Sequence, residues 1–536
     1  MQPSHQTLVS SYGEPFLRYV LAISENVSLS DGLNATAPEL QVLLTDIGTP
    51  GPNEGGDGNH IQASFNTATR FSQYLPEQKM GFANQIRTLC GGSLGDVPSS
   101  TDPVLQSLRA IAHDMWPTYL LPPPAEGPRT FWMSSGPVGI YQHPELATLH
   151  RNFANDETLR PLFPSLTVPE DAADWTKWID VQAVWTLNAG SGGSHQMMGV
   201  FGSLLLDAVL RTRLSDGELT HDGLMRELAV SLNAFRKLAT KKPVHVPAIV
   251  GLSGVQLEDG QQIELASGII RKISDLERDL LLNSSNLVTT VFETTFPLQI
   301  LDISNFDPTD DKWHKTYQKY GPRFEESHRA FQHSLDQVRL AILLCSEGEE
   351  YLGSVEVSRF IFNPTQPGGS ATWTMDQRQP ASYIIPQTKF DEIKEWHSLI
   401  GTKHPDSLNI AMKRLLSAAS QRADSNDAFI DALIVWENAF GTTTETAFRV
   451  TGALAKLLEP DDMEKRLELQ KELANLYGIR SRLVHGAKEP AASKSWEYRQ
   501  RTISIAIDCL RRLYRERPDL LSISSEDRSK RLLLEH

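Results

Sequence analysis

The spacing of apolar residues changes twice along the 536-residue chain and divides it into three main regions. In residues 1–240 apolar positions recur every three or four residues, most clearly in 197–213 and 224–238, as in amphipathic helices. A further segment that we assign to helix carries three tryptophans, Trp175, Trp178 and Trp185. The pattern therefore predicts an N-terminal region of mixed but mainly helical character.

Glycine and proline interrupt this region at three places. Residues 48–59 (GTPGPNEGGDGN) predict a loop, and residues 120–128 (LLPPPAEGP) predict a stiff connector. Residues 188–195 (NAGSGGSH) are rich in glycine, but they lack the Lys-Ser/Thr ending of a phosphate-binding loop and the spacing of a dinucleotide fingerprint. We interpret them as a flexible turn in which His195 has no visible partner.

Residues 241–389 change to short runs that have the composition of strands. Residues 244–252 predict one strand, and 255–265, with Asp259-Gly260 at its turn, predict a hairpin. Further predicted strands are 287–300, 338–344, 355–362 and 371–375, with a loop at 364–369. The sequence shows no nucleophile–base pair or carboxylate constellation here. It therefore predicts a β-rich middle domain without assigning its role.

From residue 390 the chain becomes helical again. The predicted helices are 390–400, 407–423, 427–440, 442–460, 462–485 and 496–515. Gly441 and Pro460 mark helix ends, and Thr442 with Glu445 has the spacing of a capping box. Short connections favour an antiparallel bundle at 390–525, followed by a C-terminal tail at 526–536. The predicted fold class is α+β multidomain, with the all-α bundle at the C-terminal end.

Composition limits the location of the protein. The best apolar run, 197–210, is too short to span a bilayer and contains Asp207, and residues 1–11 are polar rather than a secretion signal. The three cysteines are far apart and are most simply buried thiols. They are Cys90, Cys345 and Cys509. We expect a cytoplasmic protein that does not bind a membrane.

The charge of the chain indicates what kind of partner it binds. The formal net charge of −15 argues against a protein that coats nucleic acid. Residues 477–517 differ, because they hold ten Lys or Arg against four Asp or Glu, a net charge of +6. A local basic surface on an acidic body suits an enzyme that meets RNA at one site.

The stretch 473–486, LANLYGIRSRLVHG, carries the strongest chemical signal. Four residues separate Arg480 from His485 at the end of a helical pattern, and Gly486 supplies a helix stop. Arginine offers forked donors to phosphate and histidine exchanges a proton near neutral pH, which together suit phosphodiester cleavage. Residues five apart on an ideal helix point roughly 140° apart, so the pair converges only if the long arginine bends round or the turn loosens. The alternative is that Arg480 pairs with a carboxylate and His485 merely caps the helix.

This stretch and the two helices before it resemble HEPN domains, in particular the Apea-like HEPN group, over about residues 405–520. The run DALIVWENAF is similar to the first core helix of the family with its inward glutamate, here Glu437. The run TAFRVTGALA is similar to the second, with Arg449 at the arginine position, and residues 477–486 carry the motif proper. One departure is Ser481, where many HEPN nucleases have Asn, Asp or His.

The resemblance implies a metal-independent endoribonuclease that needs no cofactor and acts as a two-fold homodimer on RNA. The ribose 2′-OH would attack its own 3′-phosphate, with His485 exchanging protons and Arg480 stabilising the charge that builds on the phosphorane. No His/Cys/Asp/Glu cluster with metal-ligand spacing occurs near the motif. The expected supporting residues are Glu437, Arg449, Tyr477 and Ser481. The expected RNA contacts are Arg482, Arg499, Arg501, Arg511 and Arg512.

The Apea-like group also resembles abortive-infection proteins of bacterial antiviral defence. That implies a regulated toxic ribonuclease, with transfer RNA as one candidate target and residues 1–389 sensing a phage-derived or cellular trigger. Two alternatives stay open. The HEPN fold could serve only as a dimerisation or RNA-binding module of a defence or signalling protein, with Arg480 and His485 structural, or a different activity could reside in residues 1–390.

Overall fold

The computed structural model describes residues 5–48, 67–122, 143–162, 183–189, 192–281, 287–305, 311–347, 351–371, 377, 381–442, 446–486 and 489–535. Some sequence predictions lie outside this part of the chain. They concern Trp175, Trp178 and most of the two predicted breaks at 48–59 and 120–128. The described residues form a mixed α/β protein with a helical C-terminal part. None of their helices has both the length and the apolar composition needed to cross a bilayer.

Contacts between residues divide the chain into two compact units, each built from three chain segments. Unit 1 consists of Met1–Ala248, Phe296–His328 and Phe360–Gly369. Unit 2 consists of Ile249–Thr295, Arg329–Arg359 and Ser370–His536. Each unit combines separate segments of the chain, so the units do not test the domain boundaries predicted near residues 240 and 389. Those boundaries stay predictions.

Helices dominate unit 1, as the apolar spacing predicts. Those described before residue 240 are α1 (His5–Val20), α2 (Leu29–Ala35), α3 (Pro38–Gly48), α4 (Phe82–Leu89), α5 (Pro103–Met115), α6 (Glu145–Asn155), α7 (Met197–Asp216) and α8 (His221–Ala239). The Thr220 side chain caps α8 by accepting a hydrogen bond from the Gly223 N–H. Buried Leu224, Leu228 and Leu232 then recur at helical spacing on one face. The two predicted helices at 197–213 and 224–238 are confirmed.

Most of the described strands are short, and the two longest are Val244–Ser253 and Thr290–Asn305. The strands are β1 (Tyr74–Leu75), β2 (Met80–Gly81), β3 (Ala183–Ala189), β4 (Gly192–Gln196), β5 (Val244–Ser253), β6 (Val255–Gln256), β7 (Gln262–Leu265), β8 (Gly268–Lys272), β9 (Thr290–Asn305), β10 (Val355–Ile361), β11 (Gly368–Ala371) and β12 (Tyr383–Ile384). The main sheet of the described residues has the order β11-β10-β5-β9-β3-β4, and β8 pairs with both β7 and β9. The predicted strands at 244–252, 287–300 and 355–362 are confirmed.

Each unit pairs neighbouring strands of the chain and also strands that are far apart in sequence. In unit 1, β3 is antiparallel to β4 and to the last residues of β9, with Val184 opposite both His195 and Asn305. In unit 2, β7 and β8 form an antiparallel hairpin with Ile263 opposite Ile270. The two-residue strands β6 and β12 run parallel.

The glycine-rich segment and the tryptophan before it were predicted wrongly. Trp185 lies in β3 rather than in a helix, and residues 192–196 form β4 rather than part of a flexible turn. β-branched and aromatic residues beside Trp185 favour a strand. In so short a segment, however, apolar spacing does not separate strand from helix.

Two predictions in the middle region are also wrong. Asp259-Gly260 does not join a hairpin, because β7 pairs with β8 and β6 pairs with β12. Residues 338–344, predicted as a strand, end a 34-residue helix. All seven of these residues are buried, and a run buried on every side has no amphipathic period by which to recognise a helix.

Unit 2 contains the predicted helical bundle. The helices from residue 270 onward are α9 (Asp275–Leu280), α10 (Asp311–Leu344), α11 (Phe390–Lys403), α12 (Asn409–Leu416), α13 (Ser425–Phe440), α14 (Thr446–Leu458), α15 (Met463–Val484), α16 (Ala492–Arg515) and α17 (Ser525–Leu534). Helix α13 is central, since it packs against α12, α14, α16 and α17 and buries Phe429, Leu433 and Trp436. Asp424 caps its first turn, and Gly441 follows its last residue as predicted.

Residues 526–534, predicted as part of a tail, belong instead to α17, which packs on α13 and α14. Arg528 of this helix has no exposed surface. Its guanidinium donates to the carbonyl oxygens of Leu520 (2.8 Å) and Ala439 (3.2 Å) and to the Ser407 hydroxyl (2.7 Å). A buried charge is costly unless it is hydrogen-bonded, so these bonds define where α17 lies on the bundle.

We expect Arg528→Met to lower the free energy of unfolding of unit 2 by about 2–4 kcal/mol, because it leaves buried carbonyl oxygens without donors. The matched variant is Arg531→Met, since Arg531 lies on the same helix with its side chain 50% exposed in pairs with Glu535 and Asp519. Its loss should cost less than about 1 kcal/mol. Urea unfolding followed by helical circular dichroism measures both. Equal midpoints for the two variants would show that Arg528 is not the anchor of α17.

Candidate active site

The motif lies where α15 ends. His485 is the first residue beyond the helix, with φ −89° and ψ 15°, and Gly486 takes the left-handed φ of 79° that favours glycine. The Gly486 N–H donates to the carbonyl of Leu483 (3.1 Å). The helix therefore stops at the glycine, as the sequence predicts. Arg480 remains in the regular part of the helix and His485 lies outside it.

Packing of α15 determines which neighbours Arg480 has. Only three residues of this long helix are buried, Leu473, Leu476 and Ile479. They hold it against the bundle, and Tyr477 and Arg480, one turn apart, meet Glu437 of α13. The Tyr477 hydroxyl donates to Glu437 Oε1 at 2.6 Å, and Arg480 Nη2 donates to Glu437 Oε2 at 3.3 Å. The structure thus brings together three residues singled out from the sequence.

Arg480 uses little of its hydrogen-bonding capacity. Its bond to Glu437 is long, and its Nε is shielded from solvent without a partner among the described residues. The side chain is 24% exposed. By contrast, Arg501 donates twice to Glu472, at 2.7 and 2.8 Å. A guanidinium has five N–H donors, so Arg480 keeps donors for an anionic ligand.

The environment of Tyr477 keeps its hydroxyl protonated. Burial, followed by the hydrogen bond to Glu437 and the negative charge of that carboxylate, raises the pKa of Tyr477 to about 12 against an opposing effect of Arg480. At neutral pH the phenol is therefore neutral and serves as a donor to Glu437. This excludes a phenolate nucleophile at Tyr477.

His485 is accessible. Its imidazole is exposed and forms no hydrogen bond with any residue that the structure describes. Its backbone N–H donates to the carbonyl of Ser481, a half-buried residue of the preceding turn. The end of α15 therefore carries an exposed imidazole, a possible proton carrier, and an arginine with spare donors that can stabilise negative charge.

No protein-family model matches the chain, and neither a curated protein nor a solved structure does.

The guanidinium of Arg449, the remaining supporting residue, is 4.0 Å from Glu526 of α17. Its place in the site stays a prediction. Among the described residues, no group of three or more His, Cys, Asp and Glu side chains is arranged to hold a metal ion.

The predicted RNA contacts have different environments. Arg499 is 1% exposed and donates to the carbonyl of Ala418 (3.2 Å), and this burial contradicts its assignment to phosphate binding. Arg501 pairs with Glu472, and Arg512 pairs with Glu516 at 2.5 Å. Arg482 is exposed and lies within the motif.

Arg511 has a structural role that the sequence did not indicate. Its Nε donates to the carbonyl of Leu344 (2.9 Å) and its Nη2 to that of Ser346, so it caps the end of α10. The last carbonyls of a helix have no partners within it. A cation at this end also interacts favourably with the negative end of the helix dipole. The sequence pattern predicts a strand at 338–344, so it gives no sign of a helix end there that Arg511 could cap.

In the groove beside its C-terminal half, the positive charge of residues 477–517 is balanced by acidic side chains. Arg501, Arg511 and Arg512 line a groove of about 630 Å³ where α14, α15 and α16 meet. Five basic and five acidic side chains line this groove, so carboxylates from neighbouring helices balance its arginines. Linear charge counts missed this because they ignore what packs beside the segment.

Arg511 and Arg512 are adjacent and provide a direct comparison. Because Arg511 satisfies two carbonyls and Arg512 only an exposed carboxylate, Arg511→Ala should destabilise unit 2 by about 1–3 kcal/mol. Arg512→Ala should cost less than about 0.5 kcal/mol. Thermal unfolding of both variants measures the difference. If Arg511→Ala matched wild-type stability, the capping role would be wrong and Arg511 would again be a candidate RNA contact.

Proposed function

We propose that the protein is an endoribonuclease whose reactive groups are Arg480 and His485. The observation that carries this proposal is that Arg480 is held by one long bond to Glu437, with most of its donors unused, and that His485, the first residue beyond the same helix, is exposed. The resemblance of residues 405–520 to Apea-like HEPN domains supports the same chemistry. The Glu437 carboxylate pairs with the charge of Arg480, while the unused N–H donors of Arg480 suit a phosphate.

Cleavage would follow transesterification. The ribose 2′-oxygen attacks the adjacent phosphorus, and His485 accepts the 2′-hydroxyl proton as general base. Arg480 stabilises the charge on the phosphorane oxygens, a contribution on the order of 3 kcal/mol. The bond from phosphorus to the 5′-oxygen then breaks, with a proton delivered to that oxygen by the partner subunit's His485. The products are a 2′,3′-cyclic phosphate and a free 5′-hydroxyl, so the substrate must be RNA.

The second histidine requires a homodimer. Four large apolar side chains of α14 and α15 are exposed in the single chain: Phe448 (64%), Met463 (61%), Leu467 (52%) and Val484 (51%). Burying them against a second copy is favourable by roughly 1.5–3 kcal/mol per fully buried side chain. Helix α15 also carries the motif, so a contact along α14 and α15 would place two motifs near one interface.

In the cell we propose a regulated toxin of antiphage abortive infection, acting in the cytoplasm, with transfer RNA as one candidate substrate. Residues 1–389 would sense the phage-derived or cellular trigger. These roles rest on the resemblance alone.

The main alternative is a non-catalytic HEPN module for dimerisation or RNA binding. The Glu437–Arg480 contact favours it in one respect, because an ion pair stabilises a helix bundle whether or not RNA is cut. The two functions differ in whether the purified protein breaks RNA.

We expect purified protein to cleave single-stranded or transfer RNA in the presence of EDTA. Arg480→Ala and His485→Ala should each lower the single-turnover rate at saturating RNA at least about 100-fold, since one removes charge stabilisation and the other the proton carrier. Lys471→Ala, an exposed residue of the same helix, is the matched control and should retain the wild-type rate. Gel analysis of end-labelled RNA measures all four proteins.

Three results would contradict the proposal. They are cleavage of an RNA with a 2′-deoxy substitution at the cut site, activity lost in EDTA and restored by magnesium, and a wild-type rate for Arg480→Ala with only weaker binding. The last result would make Arg480 a phosphate anchor.

The dimer predicts a mass of twice 59.7 kDa in light scattering at micromolar concentration. Phe448→Glu should shift the protein to monomer, because it places a charge in an apolar contact. Ile410→Glu, at a 55% exposed position on α12, should leave the dimer intact. Dimers of equal strength for both variants would exclude α14 from the interface.

A further inference from the structure

We propose that Tyr477 is a positioning residue that sets the orientation of Arg480 through Glu437. This inference rests on the ribonuclease function proposed above and adds a residue that touches neither the phosphate nor the reacting oxygens. It starts from one carboxylate that binds two donors from the same helix.

The two bonds to Glu437 are unequal. The Tyr477 hydroxyl binds one oxygen at 2.6 Å, whereas Arg480 Nη2 reaches the other only at 3.3 Å. Short O–H···O⁻ bonds are among the strongest in proteins. Glu437 is therefore held mainly by the tyrosine, and the arginine is attached to a carboxylate that is already fixed.

Removal of the hydroxyl would change what Glu437 does. A carboxylate with a free oxygen beside a guanidinium tends to bind it through two parallel hydrogen bonds. In Tyr477→Phe, Glu437 would be free to turn and take Arg480 in this way, and fewer donors would remain for phosphate. The structure points to Tyr477 as the group that keeps Glu437 from sequestering Arg480.

The effect belongs to the reaction step more than to binding. Arg480 is assigned to the charge that develops during cleavage, so a misdirected guanidinium should lower the rate on bound RNA. We expect Tyr477→Phe to reduce the single-turnover rate at saturating RNA about tenfold, with the Kd for RNA changed less than about twofold. The matched control is Tyr498→Phe. Tyr498 is a half-buried tyrosine of α16 whose hydroxyl bonds no described residue, and this variant should match wild type.

A second variant tests the path through Glu437. With Glu437→Gln the side chain is neutral and no longer pairs with Arg480 as an ion. In that background Tyr477→Phe should change the rate less than about twofold, because coupling through a shared partner is non-additive. A full tenfold loss in the Glu437→Gln background would show that Tyr477 acts by another route and would overturn the inference.

Arginine-selective ¹⁵N NMR of the full-length protein supplies a readout that does not depend on cleavage. The Nε–H signal of Arg480, assigned by its loss in Arg480→Lys, should shift in Tyr477→Phe and stay in place in Tyr498→Phe. An unshifted signal in Tyr477→Phe, or an unchanged single-turnover rate, would overturn the inference even if the enzyme cuts RNA. If the wild-type protein cuts no RNA, the proposed function is wrong, and the NMR signal still decides whether Tyr477 orients Arg480.

Discussion

The burial of nine of the sixteen residues of α13 is the constraint on which the candidate site depends. This helix is surrounded by other helices of the bundle and places two carboxylates, Asp431 and Glu437, among them. Removing a carboxylate from water is costly unless cationic or hydroxyl donors replace the lost hydration. Each carboxylate therefore recruits donors from neighbouring helices, and the positions of those donors follow from where α13 lies. Arg480 meets Glu437 for this reason.

The two carboxylates differ in how fully they are satisfied. Asp431 is 2% exposed and accepts from Arg414 (2.7 Å), Arg422 (2.8 Å) and Ser417 (2.9 Å). Glu437 is 24% exposed, and its contact with arginine is the long one. A network like that at Asp431, in which every group is hydrogen-bonded, rigidifies a fold. It leaves no free donor that could bind a ligand. The network at Glu437 has a strong hydroxyl bond and a weak guanidinium bond, which leaves Arg480 able to exchange partners.

Sequence reasoning succeeded where the requirement was local. The stops at Gly441 and Gly486 follow from backbone chemistry at the helix end, and buried Ile503, Ile507 and Leu510 recur at the spacing that predicts α16. Glu437 and Arg480 are 43 residues apart, so only the family resemblance, and no local pattern, indicates their association. Sequence reasoning failed where the outcome depended on distant packing. Arg499 and Arg501 are two positions apart on α16, yet one faces the core and the other solvent. The residue type is the same, and only the position of the neighbouring helices separates them.

The end of α15 leaves the two groups of the motif in different environments. Side chains five residues apart in a continuous helix point roughly 140° apart. The helix ends at Val484, but the His485 N–H still donates to the Ser481 carbonyl as in a helical turn, and Gly486 turns the chain only after the histidine. Arg480 is held by the helix and by Glu437, whereas the exposed His485 side chain has no hydrogen-bond partner among the described residues. In the proposed cleavage the two groups therefore meet at the phosphate through the reach of the long arginine side chain, and not through a change of direction at the end of the helix.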